Sequence, residues 1–144
     1  MNIVLATPKY RADYRISFAV GKYRQERANQ MKQKTIKDLA LELVVEISNE
    51  CDTIKGKSIF TNQLLRCSSS VGANAAEAKY AQSSADFIHK LELSLKECNE
   101  TDYWLELLFL LGCFTEEKYT HFSRKNGTIK RMLITSITTA KSKS

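Results

Sequence analysis

From Thr35 onward the apolar residues recur with the period of an α-helix. Ile36, Leu39, Ala40, Leu43 and Ile47 fall at i, i+3, i+4, i+7 and i+11, and Val44 and Val45 widen that stripe. Thr35 stands where a cap belongs, Asp38 follows in the first turn, and Gly56 lies just past the far end. A second helix is predicted from about Ser58 to Tyr80, with Phe60, Leu64, Cys67, Val71, Ala75 and Ala78 on one face. Its middle, from Cys67 to Ala78, is built almost wholly of small residues. Gly72 there costs about 1 kcal/mol of helix propensity relative to Ala, which close approach of another helix would offset.

A third helix starts at Ser83 or Ser84 and runs to about Leu111, on a stripe of Phe87 or Ile88, Leu91, Leu95, Cys98, Leu105 and Phe109. Its end, from Tyr103 to Leu111, is apolar nearly all round. One core face cannot cover such a helix end. Tyr103, Trp104, Leu107, Leu108 and Leu111 are therefore expected to meet a second, intermolecular surface. Gly112 ends this helix and Thr115 opens the fourth, whose later part carries Ile129, Met132, Leu133 and Ile137. Asn126-Gly127 is a turn dipeptide and predicts a kink or break in that helix. Residues 141–144 are expected to fray. The pattern specifies an all-α fold, an antiparallel up-down-up-down four-helix bundle over residues 35–140.

Residues 1–34 have weak periodicity. A short helix from Tyr14 to Tyr23 would be interrupted at Gly21, and the segment reads as a mobile basic extension. Met31 is an alternative initiator, with the residues before it then a gene-model artefact.

Composition sharpens the picture in three ways. One proline and five glycines in 144 residues disfavour a turn-rich β fold. No apolar run approaches the roughly 20 residues of a membrane span, and the start lacks the basic region of a secretion signal, so the expected location is the cytoplasm. Cys51, Cys67, Cys98 and Cys113 form no C-x-x-C pair, and each lies in an apolar helical pattern. They read as small buried hydrophobes in a reducing compartment.

The net charge of +6 is polarised along the chain. Residues 1–34 hold eight basic against two acidic side chains, residues 35–114 seven against twelve, and residues 115–144 seven against two. The last group includes Lys118, Arg124, Lys125, Lys130 and Arg131 on the fourth helix, a candidate phosphate-binding face.

Other chemistry finds little support. Arg66, Ser70, Asn74 and Glu77 share one face of the second helix, and Lys90, Glu97 and Glu100 fall on related faces of the third. Together they form a candidate buried or half-buried polar network that fixes helix register. A di-iron site would need paired Glu-x-x-His motifs. Only His89 and His121 are present, and neither has a Glu three residues before it, so no metal is expected. No phosphate loop or dinucleotide fingerprint occurs. No catalytic residues and no cofactor are expected.

The segments Asn62–Ala78 and Asp86–Leu105 resemble the signature of the bacterial four-helix-bundle proteins labelled S23 ribosomal proteins, some encoded in intervening sequences of large-subunit ribosomal RNA genes. The resemblance covers about residues 35–140, with no counterpart expected before Met31. It implies a homopentamer, a barrel of five bundles. A related branch, the accessory variability protein of diversity-generating retroelements, binds a reverse transcriptase and nucleic acid. The resemblance thus implies a non-enzymatic accessory protein. Its expected ligand is RNA or DNA, held by five copies of the basic face, or alternatively a protein partner such as a reverse transcriptase.

Overall fold

The structure, a computed structural model, describes residues 20–23, 25–26 and 34–144. The chain divides into two units, residues 1–34 and Thr35–Ser144. In the first unit, residues 20–23 and 25–26 are helical, so Gly21 lies within a helix rather than interrupting one. Lys22 and Glu26 pair across one turn at 3.9 Å. The expectation of a mobile extension otherwise falls outside the described residues.

The second unit is built from four helices: α1 (Ile36–Cys51), α2 (Ser58–Ala78), α3 (Ser84–Leu110) and α4 (Glu116–Ser142). Three of them start at the hydroxyl caps anticipated from sequence. Thr35 and Asp38 form a reciprocal box, with the Asp38 amide donating to Thr35 Oγ1 at 3.2 Å and the Thr35 amide donating to Asp38 Oδ2 at 3.0 Å. The Ser83 hydroxyl accepts from the Asp86 amide at 3.1 Å, and the Thr115 hydroxyl accepts from the Lys118 amide at 3.2 Å. Gly112, with φ of 72°, turns the chain out of α3 in a backbone region that side chains disfavour.

Each helix packs on its neighbours in sequence and α1 also packs on α4, which closes a four-helix bundle with α1 and α3 on diagonal corners. Among the described residues no strand occurs. The core is a stack of side chains withdrawn from solvent, led by Ile47, Leu64, Leu105, Leu108, Ile129 and Leu133. Each such side chain contributes about 1.5–3 kcal/mol relative to exposure. Polar stitches cross this core. Ser94 Oγ donates to the Val71 carbonyl at 2.7 Å, and Thr101 Oγ1 donates to its own-helix Glu97 carbonyl at 2.8 Å, 3.3 Å from Cys67 Sγ. Between α1 and α2 the small residues do what was anticipated of them. A Cβ placed on Gly72 would lie 3.1 Å from the Ala40 Cβ, so the two backbones approach as closely as glycine permits.

Two sequence expectations are corrected. The helix α4 runs without a break through Asn126-Gly127. Asn126 belongs to the core stripe Phe122, Asn126, Ile129, Leu133 and Ile137, all buried. Its Nδ2 donates to the Cys98 carbonyl at 2.8 Å and to Asp102 Oδ1 at 2.7 Å. Tertiary hydrogen bonding outweighs the local turn preference. The frayed tail is also shorter than expected, because α4 continues to Ser142 and Lys141 pairs with Glu92 on α3 at 2.7 Å.

Candidate functional site

Three seams of the bundle are laced by ion pairs, and these absorb most of the charged residues singled out from sequence. On the α2–α3 seam the antiparallel run places Arg66 against Glu97, at 3.4 Å, and against Glu100. Trp104 Nε1 donates to the same Glu100 Oε1 at 3.2 Å. The Arg66 guanidinium and this indole hold the Glu100 carboxyl below its ordinary value. About three turns farther along α2, Glu77 meets Lys90 at 2.5 Å. Ser70 and Asn74 do not join: the Ser70 hydroxyl donates to the Arg66 carbonyl and Asn74 Nδ2 to the Ser70 carbonyl, both at 2.9 Å within α2. The expected single network, buried or half-buried, is thus two separate groups on this seam, Arg66 with Glu97 and Glu100, and Glu77 with Lys90; Glu97, Glu100 and Lys90 are half-buried, and Arg66 and Glu77 are exposed. Short hydroxyl and amide side chains on a helix reach their own preceding turn before they reach a neighbouring helix.

The basic set of α4 is likewise divided. Lys118 pairs with Glu50 at 3.0 Å, and Lys125 with Glu46 at 2.5 Å. His121 Nε2 lies 2.7 Å from the other oxygen of Glu46. Partial burial pushes the Glu46 carboxyl up, but its bonds to Lys125 and His121 outweigh this and hold it below its ordinary value. Lys130 turns the other way, to Asp102 on α3. Lys118, Lys125 and Lys130 therefore serve intramolecular pairing. Arg124 and Arg131, seven residues apart on the exposed face of α4, meet no carboxylate among the described residues. Arg131 instead donates to the Thr128 hydroxyl at 3.0 Å. A single basic patch of five side chains is corrected to two uncompensated guanidinium groups. The sequence signal for the missed partners is the i, i+4 pair Glu46 and Glu50 on α1, which antiparallel pairing sets against α4.

The apolar end of α3 also needs resorting. Leu108 is 0% exposed and lies in the protomer's own core, so it is no interface residue. Trp104 is half-buried and stacks on Phe60 with ring centroids 6.2 Å apart, and Leu107 is half-buried. What solvent meets is Tyr103 at 59%, Leu110 at 72% and Leu111 at 41%. Ile59, at the start of α2 beside this end, is 75% exposed. Leu110 and Ile59 were missed from sequence, since periodicity could not show which side of an all-round apolar helix the core would take.

The four cysteines are free thiols, with Cys51, Cys67 and Cys98 buried and Cys113 half-buried. Burial raises the Cys51 thiol to about 11 and the Cys98 thiol to about 12. Among the described residues no cluster of His, Cys, Asp and Glu is placed to hold a metal ion. Among the described residues no helix is long and apolar enough to cross a membrane.

Residues 23–135 match the family model of the 23S rRNA-intervening sequence protein. The chain belongs to this family. The match begins upstream of Met31, so the family pattern reaches into the segment expected to lack a counterpart. The fold is shared with a protein of unknown function from the S23 ribosomal protein family of Bacteroides thetaiotaomicron VPI-5482. That crystal structure, at 1.70 Å resolution, is 42% identical over 72% of this chain and 98% of its own, with a TM-score of 0.68. None of the curated proteins matches the chain. Neither the family description nor that of the solved relative names an enzymatic activity.

Proposed function

We propose that this member of the 23S rRNA-intervening sequence protein family is a non-enzymatic, self-associating bundle of the cytoplasm, a scaffold rather than a catalyst. The observation that carries this reading is the exposed apolar group at the adjoining ends of α2 and α3, where Ile59, Tyr103 and Leu110 each leave more than half of their surface in solvent. Contiguous apolar surface of this kind marks an association site. The family resemblance supplies the expected count, five copies in a closed barrel. Four unpaired thiols suit a reducing compartment. Light scattering on the purified chain is the test. The wild type is expected at the mass of a closed oligomer, and Tyr103→Glu with Leu110→Glu at the mass of one chain. A wild type that stays single at high concentration refutes the reading.

A second reading, nucleic-acid binding by the assembly, is favoured by the two guanidinium groups of Arg124 and Arg131. In a ring each repeats with every copy, and phosphate contacts add through counterion release. Affinity for RNA or DNA should fall steeply with salt, and Arg124→Glu with Arg131→Glu should abolish it. Binding that survives both changes removes this reading.

A further inference from the structure

We infer that the end of the bundle at which α1 begins and α2 finishes binds a small anion with an apolar body, of the class of a medium-chain carboxylate. A groove of about 750 Å³ opens there, within the roughly 300–1,000 Å³ of sites that take small molecules. All four helices line it, through the first turn of α1, the last turn of α2, Phe87 and Leu91 of α3, and Ser136 of α4. The sequence accounts for the space. Along the apolar stripe of α2 the side chains shrink from Phe60 and Leu64, through Cys67 and Val71, to Ala75 and Ala78. Gly72 meets Ala40, so one turn farther along α2 Ala75 and Ala76 come level with the first turn of α1. The opposite end of the bundle is closed by rings. Phe109 stacks on Tyr119 there with centroids 4.5 Å apart, and Phe114 meets Phe122 edge to face at 5.7 Å. Protein interiors are packed to crystal density, and the end with the alanines leaves its last core layer short of side-chain volume.

The lining sets the chemistry of the occupant. The floor is apolar, with Ala78 and Leu91 each 3% exposed and Ala75 and Phe87 half-buried. The rim is cationic. Lys37 on α1 and Lys79 at the end of α2 are exposed, and neither meets a carboxylate among the described residues. Elsewhere in the bundle Lys90, Lys118, Lys125, Lys130 and Lys141 each hold one. Among the described residues the groove has a single carboxylate, that of Asp38, which is spent on the cap of α1 and accepts the Thr35 amide at 3.0 Å. An anionic head therefore gains two ammonium partners and the positive end of the α1 dipole, while its apolar body covers the floor. A cationic head is repelled by the same rim, and a bare anion such as acetate has nothing to lay on the floor. The site goes beyond self-association and does not depend on it. Along α3 about 24 Å separates Phe87 from Tyr103.

Calorimetric titration of the full chain with octanoate tests the site, with octylammonium as the control for the head and acetate as the control for the tail. Octanoate is expected to bind once per chain, and each control at least tenfold more weakly. Lys37→Gln with Lys79→Gln, both at exposed positions, should weaken octanoate at least fivefold. Ala75→Phe fills the groove and should abolish binding with circular dichroism at 222 nm unchanged; should that variant not fold, Ser136→Phe fills it from α4. A chain with Tyr103→Glu and Leu110→Glu, which breaks the proposed self-association, should bind octanoate as the wild type does. No binding of octanoate, binding that survives the lysine or the filling changes, or equal binding of octylammonium overturns the site and leaves self-association standing. Loss of binding in the Tyr103 and Leu110 variant moves the ligand to the far end of α3 and overturns it too. So does octanoate that lowers the wild-type mass in light scattering, which gives the groove to a contact between copies.

Discussion

Replacement of Asn126 by aspartate measures how much the buried amide between α3 and α4 contributes to the fold. The side chain is 0% exposed. Its Nδ2 faces two acceptors, the Cys98 carbonyl at 2.8 Å and the Asp102 carboxylate at 2.7 Å. Its Oδ1 is buried without a partner. Asn126→Asp keeps the shape and puts an acceptor oxygen where the donor was. The loss has two parts. The two hydrogen bonds contribute about 1 kcal/mol for the neutral acceptor and about 1.5–3 kcal/mol for the charged one. A buried carboxylate facing another then raises its own proton affinity, and the cheapest relief is protonation. Protonating a carboxyl of ordinary pKa about 3.9 at pH 7 costs about 4 kcal/mol, at 1.36 kcal/mol per pH unit, so the electrostatic part saturates near that figure. The protonated form can still donate to one of its two neighbours and recovers part of the first loss.

The expected deficit at pH 7 is therefore about 3–5 kcal/mol, a large fraction of the stability of a domain this size. The sign with pH is fixed by the direction of the shift. A carboxyl raised by folding is a penalty above its unfolded pKa, and the penalty shrinks as the pH falls towards it. Between pH 7 and pH 5 the deficit should shrink by about 2.7 kcal/mol. Asn126→Leu, of similar shape, loses both bonds but removes the orphaned oxygen and adds apolar burial, and should stay within about 1.5 kcal/mol of the wild type. Urea unfolding followed by circular dichroism, at one protein concentration for all variants, reads these differences. An aspartate variant within about 1 kcal/mol of the wild type at pH 7, or a deficit indifferent to pH, would show that the amide does not bridge α3 and α4.

Three further outcomes follow from the same structure. Gly72→Val should destabilise by about 1–3 kcal/mol, because even its Cβ lands 3.1 Å from that of Ala40; Ala40→Gly in the same chain should recover part of the loss in urea unfolding. Toward a thiol reagent at neutral pH Cys113 should react first, and Cys51 and Cys98 only as fast as the bundle opens, since burial raises their thiols to about 11 and about 12; rapid labelling of Cys98 in folded protein contradicts that core. The lowered carboxyls of Glu46 and Glu100 contribute stability that is present above their ordinary value of 4.5 and lost as the pH falls through their folded values. Glu46→Gln should flatten that acid limb in a pH titration of unfolding, and an unchanged limb would remove Glu46 from the account.

The number and order of the helices, and three of their four starts, were legible because local signals agreed with the tertiary outcome. Thr35, Ser83 and Thr115 each precede an amphipathic stripe, and each caps it in the structure. Where local and tertiary terms disagree the sequence misleads. Asn126-Gly127 reads as a turn, yet Asn126 sits three and four residues from Ile129 and Phe122, on their stripe. The polar positions were legible as residues but not as partners. Arg66, Glu97 and Glu100 were legible as members of one polar network, and it is the antiparallel run of α2 on α3 that makes them partners. The pairing of Lys118 and Lys125 with Glu50 and Glu46 required knowing that α1 closes on α4.

The unbroken passage of α4 through an asparagine-glycine pair has a chemical consequence for the age of each molecule. Deamidation requires the Gly127 amide nitrogen to attack the side-chain carbonyl carbon of Asn126 and expel ammonia, giving a succinimide that water opens to a carboxylate, and helical backbone angles hold the nitrogen away from that ring closure. While the helix holds, the pair is protected; each opening exposes it. The product carries the very carboxylate that the core tolerates least, so a molecule that has once reacted opens more readily thereafter. The lesion works as a ratchet, and the fraction of deamidated chains in an intact-mass spectrum should record how often α4 has come undone.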